Sequence, residues 1–340
     1  MANAASNCWV GVDLGGTKVL AGVFDQRLKL LGSAKLSTRA ERGVEIVLER
    51  IGRCVGEALE AAGKKRSDVA GVGVGAPGAV DVARGVVLFA PNLPGWRNIP
   101  LGRRLSKALG LPVVVGNDAN VCTLGVHEVE LGGRPRQLVG VFVGTGIGGG
   151  LILQGRLYEG ACHTAGEVGH MIIEVNGPKC GCGNRGCWEA LASRTAIFRR
   201  IREALQSGEK TVLTQWLGSE LQDLRSNDLR KALERGDKLV HRILMQAADY
   251  LGIGLANLIN LLNPEVVVLG GGLMQAVGDQ LLPRIQRTAR QLAMPGSTRR
   301  LRITASKLGD EAGITGAAVL AQRWAQSRQS APPSAPASPP

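Results

Sequence analysis

The sequence predicts an α/β fold with two related domains. The chain has 340 residues, enough for two domains with separate buried cores. Short β-rich segments alternate with helical ones over its first 118 residues. The order strand, glycine-rich turn, strand occurs at 10–17 and again at 139–146, and this internal repeat indicates that both domains share one plan.

The first domain is predicted to cover residues 1–118. Its elements, in chain order, are strands at 9–12 and 19–24, a helix at about 44–62, and strands at 69–74 and 113–115. This alternation is typical of an α/β layer, in which helices cover a sheet.

The second domain is predicted to cover residues 119–311. Strands at 138–143 and 151–153 flank a second glycine-rich turn, and a buried strand at 266–269 closes the domain. The segment 193–262 is predicted to be mainly helical, because apolar residues recur there at helical spacing.

Composition argues against several classes of protein. Apolar stretches stop well before the ~20 residues of a membrane-spanning helix, and residues 1–7 lack a leader-like patch, so we expect a cytoplasmic protein without membrane contact. The net charge of +13 is spread in small basic groups and only 3% of residues are aromatic, so we expect solvated helix faces rather than a nucleic-acid partner. The Pro-, Ala- and Ser-rich end, 329–340, is predicted to be a disordered tail.

The first glycine-rich turn, Asp13 to Lys18, lies between two predicted strands. Its glycines should allow positive φ and bring backbone amides close to a phosphate. The turn is not a Walker A loop, because that motif enters a helix, whereas here the β-branched Val19 follows. Asp13 could hold Mg²⁺ and Lys18 could neutralise phosphate charge. The alternative is an ordinary hairpin turn. The candidate phosphate-binding residues of this turn are Asp13, Gly15, Gly16, Thr17 and Lys18.

Two further glycine runs are candidate nucleotide sites. The run 144–149 matches the dinucleotide pattern G-x-G-x-x-G, but a strand and turn, not a helix, are predicted after it, which excludes that interpretation. The run 270–272 follows a buried strand and precedes a helix, where a nucleotide can be bound. The candidate residues are Thr145, Gly146, Gly148, Gly270 and Gly271.

Three of the seven cysteines form a candidate metal site. His170, Cys180, Cys182 and Cys187 have the spacing His-x9-Cys-x-Cys-x4-Cys, interleaved with glycines that let the backbone fold around one ion. Four such ligands favour tetrahedral, structural Zn²⁺. The alternative is a set of incidental buried cysteines near a core histidine. An odd cysteine count in a chain of this length also argues against a disulfide framework.

Two carboxylates flank this cluster. If zinc folds the loop, Glu167 and Glu189 can point to one place, and carboxylates that accept several hydroxyl hydrogens suit a sugar. Either one alone could be a surface charge.

Four ordered motifs together resemble the ROK family (repressors, open reading frames and kinases). The resemblance runs from about Trp9 to Gln322. The motifs are Asp13 to Lys18, Asn117-Asp118-Ala119-Asn120, Glu167-Val168-Gly169-His170 and Cys180-x-Cys182-Gly183-x-x-Gly186-Cys187-x-Glu189. The resemblance implies an actin-like ATPase fold, also called ribonuclease H-like, with two α/β domains, a cleft between them, and a carboxyl-terminal helix at about 312–328 that returns to the first domain.

Within the family the chain looks most like bacterial glucokinases, which implies a hexose and ATP with Mg²⁺ as substrates. Asp118 then corresponds to the catalytic base, although its position before a predicted helix equally suits an N-cap. By the same resemblance His170 would bind zinc through one nitrogen and sugar through the other. The residues implied to line the sugar are Asn92, Asn117, Asp118, Glu167, His170 and Glu189.

Other functions stay open at this point. A kinase of the same family could act on N-acetylglucosamine, N-acetylmannosamine, mannose or fructose, and polyphosphate could replace ATP. A sugar-responsive repressor would carry a helix-turn-helix domain before the first glycine turn, whereas only twelve residues precede Asp13. A sugar-binding protein without catalysis is a third alternative. A homo-oligomer is expected, because oligomers are common in the family.

Overall fold

The computed structural model describes residues 8–330. Residues 331–340 of the predicted tail and the segment 1–7 lie outside the described residues. The chain divides into two compact units, 8–125 together with 313–330, and 126–312. Within this part of the chain, no helix combines the length and the apolar character that crossing a bilayer requires.

The first unit is built on one five-stranded sheet and one small three-stranded sheet. Its strands are β1 Cys8–Leu14, β2 Lys18–Asp25, β3 Leu30–Ser37, β4 Val69–Ala76, β5 Ala79–Asp81, β6 Val86–Phe89, β7 Arg97–Ile99 and β8 Val113–Asn117. Its helices are α1 Val44–Ala61, α2 Leu101–Leu109 and α3 Asp118–Gly125, with short 3₁₀ turns at Ala40–Arg42 and Arg66–Asp68. A last helix, α11 Ala312–Ser330, returns to this unit from Gly313 onward.

The main sheet has the strand order β3-β2-β1-β4-β8, in which β1 pairs antiparallel with β2 and parallel with β4. Helices cover both faces of the sheet, so successive residues of β1 enter two different cores: Val10 and Val12 pack with α1, whereas Trp9 packs with α11. Glycine permits the close approach of α11, because a Cβ at Gly11 would lie 1.8 Å from the Ile314 carbonyl oxygen.

The second unit repeats this plan. Its strands are β9 Leu138–Val143, β10 Ile147–Leu153, β11 Arg156–Leu157, β12 Val266–Gly270 and β13 Arg302–Ala305. Its helices are α4 Trp188–Ala192, α5 Arg194–Gln206, α6 Thr214–Leu217, α7 Ser226–Glu234, α8 Lys238–Leu262, α9 Gly272–Leu292 and α10 Pro295–Thr298, with a π-helical turn at Val126–Glu130 and 3₁₀ turns at Val168–His170 and Gly309–Glu311.

The sheet of the second unit has the order β11-β10-β9-β12-β13, with antiparallel pairing on one side of β9 and parallel pairing on the other. This arrangement matches β3-β2-β1-β4-β8 of the first unit, so the predicted internal repeat is confirmed. The predicted strands are all present. The edge strands β3, β11 and β13 and the small sheet β5–β7 were not predicted.

Candidate active site and metal centre

The first glycine turn joins β1 to β2 in the first unit. The Gly15 amide donates to the Lys18 carbonyl (2.9 Å), and the buried Thr38 holds the turn from outside, since its hydroxyl donates to the Gly15 carbonyl (2.6 Å) and its amide donates to the Thr17 carbonyl (2.9 Å). The predicted positive φ is wrong, because neither Gly15 nor Gly16 adopts a left-handed backbone conformation. A Cβ at Gly16 would instead lie 2.8 Å from the Asn92 carbonyl oxygen, so glycine is needed there for close approach.

Asn92 lies in the loop that approaches this turn. The loop is held by bonds from the Leu93 amide to the Ala90 carbonyl (3.1 Å) and from the Ala90 amide to the Trp96 carbonyl (3.2 Å). Leu93 and Trp96 are buried, whereas Asn92 is exposed. The two apolar side chains anchor the loop and leave the polar one accessible to a ligand.

Asp13 is the penultimate residue of β1 and lies on the face that α11 covers. A Cβ at Gly313 would lie 2.6 Å from the Asp13 carboxyl carbon, so this carboxylate sits against the first turn of α11, where the helix dipole favours a negative charge. The pKa of Cys122 is raised well above its ordinary value by burial and then by the negative charges of Asp13 and Asp118. Both carboxylates therefore act on one neighbourhood of the first unit.

Asn117 and Asp118 stand where β8 ends and α3 begins. The Asn117 side-chain oxygen accepts from the Asn120 amide (3.1 Å), which is the bond of an N-cap, and its NH₂ group donates to the Gly78 carbonyl (3.0 Å). One Asp118 oxygen accepts from the adjacent Ala119 amide (2.8 Å). Asn117 is therefore the residue that makes the N-cap bond of α3.

The second glycine turn joins β9 to β10 in the second unit, so the predicted hairpin is confirmed. The Gly144 amide donates to the Gly146 carbonyl (2.9 Å), and a carboxylate oxygen of Glu189 accepts from the Ile147 amide (2.9 Å). A Cβ at Gly146 would lie 2.1 Å from that same oxygen. The carboxylate therefore occupies space that only glycine leaves open.

Two residues at the start of α5, which the sequence analysis missed, also hold this turn. The Arg194 guanidinium donates to the Thr145 hydroxyl oxygen (2.6 Å), and the Thr195 hydroxyl donates to the Thr145 carbonyl (2.7 Å). The Arg194 amide donates to the Gly144 carbonyl (3.0 Å). Their contacts are 49 and 50 positions away in sequence, so no local pattern could have revealed them.

The third glycine run lies between β12 and α9. Gly271 has a φ of 89° and directly precedes α9. A Cβ added at this position would lie 2.6 Å from the Val143 carbonyl oxygen at the end of β9. The second and third glycine runs thus meet at the same edge of the sheet of the second unit. A small pocket beside them is lined by Phe142, Gly270, Gly271, Met274, Gln275 and Ser306, among others.

The four predicted metal ligands come together. Ligand atoms of His170, Cys180, Cys182 and Cys187 all lie within 4.8 Å of one another. The Cys182 and Cys187 sulfur atoms are 3.7 Å apart, and His170 Nδ1 is 3.8 Å from the Cys180 sulfur. Zn–S bonds of about 2.3 Å place two sulfurs of a tetrahedral site about 3.8 Å apart, whereas a disulfide needs about 2.05 Å. The spacing therefore fits a zinc ion.

Electrostatics agrees with this assignment. Burial raises the pKa of Cys187 to about 12, whereas a backbone hydrogen bond at Asn184 is the main cause that lowers the pKa of Cys182. Thiols crowded in this way need a cation to become thiolates together. The other Glu189 oxygen lies 3.8 Å from the Cys180 sulfur, so the metal cluster and the second glycine turn share this carboxylate.

Glu167 precedes the short 3₁₀ turn Val168–His170, and His170 is the last residue of that turn. Gly169 lets this turn approach β10, because its Cβ would lie 2.1 Å from the Ile147 carbonyl oxygen. Glu167 is exposed and His170 is partly exposed. The turn that carries Glu167 and His170 and the Glu189 carboxylate thus both lie beside the start of β10.

The chain is similar to known proteins over most of its length. The sequence model of the ROK family matches residues 9–324. A glucokinase of Thermotoga maritima is 36% identical over 311 residues, which are 92% of this chain and 96% of that protein. A xylose repressor of Caldicellulosiruptor bescii is 33% identical over 248 residues, 73% of this chain and 61% of that protein.

A solved structure matches as well. The ROK family glucokinase from Streptomyces griseus, crystallised with glucose and AMPPNP, is 34% identical and has a TM-score of 0.83, covering 93% of this chain and 99% of that one. The chain has the actin-like ATPase fold of the ROK sugar kinases. By sequence and by structure, this chain belongs to the ROK family.

Proposed function

We propose that the protein is a hexose kinase that transfers the γ-phosphoryl group of ATP to glucose. The observation that carries the proposal is the match, over nearly the whole of both chains, to a glucokinase whose structure contains glucose and an ATP analogue. Each unit contributes candidate residues for such a reaction, and the contacts described above support their assignment.

Asp118 is the proposed general base. It accepts the proton of the sugar's primary hydroxyl while that oxygen forms a bond to the γ-phosphorus, and the bond from the γ-phosphorus to the bridging β–γ oxygen breaks to release ADP. The capping bond made by Asn117 supports this role, because the Asn120 amide at the start of α3 is satisfied by Asn117 and does not need the Asp118 carboxylate.

Polar groups in both units are assigned to the sugar. In the first unit these are Asn92, Asn117 and Asp118, and in the second they are Glu167, His170 and Glu189. Carboxylates and amides that hydrogen-bond individual hydroxyls discriminate strongly between sugars, because a missing partner leaves a buried polar group unpaired.

Backbone amides of the glycine runs are assigned to ATP. Gly15, Gly16, Thr17 and Lys18 act in the first unit, and Thr145, Gly146, Gly148, Gly270 and Gly271 in the second. Asp13 would hold Mg²⁺ directly or through water, and that ion supplies neutralisation of phosphate charge when it is bound.

His170, Cys180, Cys182 and Cys187 would hold a structural Zn²⁺, which supplies folding energy to its loop and takes no part in the transfer. His170 faces the cluster through Nδ1, so its other nitrogen is the one assigned to a sugar hydroxyl. All seven cysteines are unpaired, which supports a reducing, cytoplasmic location. A homo-oligomer remains our expectation, to be checked by sedimentation.

The test is sugar-dependent ADP release by purified protein with MgATP. Parallel reactions would contain glucose, mannose, fructose, N-acetylglucosamine, N-acetylmannosamine or no sugar, and one series would replace ATP with polyphosphate. Turnover highest with glucose supports the proposal. Turnover highest with an N-acetylated sugar would keep the mechanism and change the substrate, and no sugar-dependent turnover in a zinc-replete sample would refute the kinase assignment.

A further inference from the structure

The turn between β9 and β10 is fixed more firmly than a hairpin requires. Two bonds from α5 end on backbone carbonyls, those of Gly144 (3.0 Å) and Thr145 (2.7 Å), and they hold the main chain. The third bond, from the Arg194 guanidinium to the Thr145 hydroxyl oxygen (2.6 Å), fixes a side chain that is exposed. Ordering an exposed side chain costs entropy and adds little to the fold, which indicates a use in binding.

The chemistry of this bond leaves one donor available. A guanidinium has only donors, so the Thr145 hydroxyl must accept from Arg194. A hydroxyl that accepts can still donate its own hydrogen, and that hydrogen is directed away from the guanidinium. Thr145 therefore presents an oriented O–H donor beside the amides of the glycine turn.

Arg194 also brings a positive charge to the turn. The side chain is half-buried, and burial is the one resolved cause that lowers the pKa of its guanidinium. Among residues 8–330, no carboxylate forms an ion pair with it, although several other arginines of the second unit, such as Arg230 and Arg284, do have such partners. An anion bound at the turn would supply the missing charge.

We propose that Arg194 is a positioning residue for the phosphoryl donor, which orients the Thr145 hydroxyl toward the phosphate chain and attracts that chain by its charge. This inference rests on the proposed function, because it takes the glycine turn as the site of the donor. It assigns no role to Arg194 toward the sugar.

The test compares Arg194→Gln and Arg194→Lys with the wild-type protein. Loss of a charge-assisted bond predicts a roughly tenfold rise in the KM for ATP in Arg194→Gln, with the KM for glucose within about twofold of wild type. Lysine restores the charge without the planar fork, so Arg194→Lys should recover part of the loss. In the double variant with Thr145→Val, the two effects should be less than additive, because both act on one contact.

Arg202→Gln is the matched control. Arg202 lies on the same helix, is similarly half-buried, and donates one bond to the Leu221 carbonyl (2.9 Å), so this variant removes the same charge and a comparable contact away from the turn. It should keep the wild-type KM for ATP.

Two results would overturn the inference while the kinase assignment stands: an unchanged KM for ATP in Arg194→Gln, or an equal rise in the KM for ATP and for glucose. If the wild-type protein itself shows no sugar-dependent turnover, the proposed function fails separately. In that case the affinity for MgATP, measured by calorimetric titration, tests the role of Arg194. Equal affinity in wild type and Arg194→Gln would contradict the inference.

Discussion

Replacing Thr38 by valine should loosen the first glycine turn. The Thr38 side chain is fully buried, and its hydroxyl donates to the Gly15 carbonyl at 2.6 Å. Valine keeps the shape and the backbone bond to Thr17 but leaves that carbonyl without its donor. The Gly15 carbonyl is half-buried, so the loss of this partner should cost about 1 kcal/mol, the low end of the range for a buried polar group, and the midpoint of thermal unfolding should fall by about 2 °C. The KM for ATP should rise as well, because Gly15 and Gly16 are assigned to its phosphates.

The assay is thermal unfolding followed by circular dichroism, together with steady-state kinetics in which ATP and glucose are varied separately. Thr38→Ser retains the hydroxyl and is the control, since it should keep the hydrogen bond and most of the donor affinity. If Thr38→Val and Thr38→Ser had equal midpoints and both kept the wild-type KM for ATP, the hydroxyl would not support the turn, and the reasoning would be refuted.

Three other perturbations test separate parts of the structure. Asp118→Asn should lower kcat by about 10²–10⁴-fold in a protein that still folds, because asparagine can still accept from the Ala119 amide; near-normal turnover would exclude Asp118 as the base. Chelation, or Cys182→Ser, should release zinc measurable by atomic absorption and lower the thermal midpoint, and a sample that loses zinc without losing stability would contradict a structural role. The hydrogen bond from Arg284 lowers the pKa of Asp249, so the stability that this carboxylate contributes is present above its ordinary pKa of 3.8 and is lost as the pH falls through the lower folded value. The difference in unfolding free energy between wild type and Asp249→Asn, measured with urea, should therefore be constant near neutral pH and shrink below about pH 4.

Local sequence patterns were sufficient to predict the features that are formed by residues close together in the chain. The hairpin at Asp13 to Lys18 and the metal cluster follow from residues that are close in sequence, and the structure brings the four metal ligands together as predicted. The strand β3 was missed because its residues alternate between half-buried and exposed, so it lacks the apolar run that identified β1 and β4.

Long-range contacts explain what sequence reasoning got wrong or overlooked. Gly16 was assigned to the correct turn for the wrong reason, because the constraint comes from the Asn92 carbonyl and not from its own φ. Arg194 went unnoticed because nothing near it in sequence distinguishes it from the other arginines, and only the folded chain places it on Thr145.

Glu189 connects the loop of the candidate metal ligands to the second glycine turn, although the metal itself is assigned no chemistry. It follows Cys187 by two positions, and its two oxygens contact different features: one lies 3.8 Å from the Cys180 sulfur and the other accepts from the Ile147 amide at 2.9 Å. Because the space at Gly146 is filled by this carboxylate, the shape of the turn depends on where the loop holds Glu189. A metal bound by the four ligands would fix the loop and thereby the turn, so an ion in this cluster would influence, through Glu189, the residues proposed to bind both substrates.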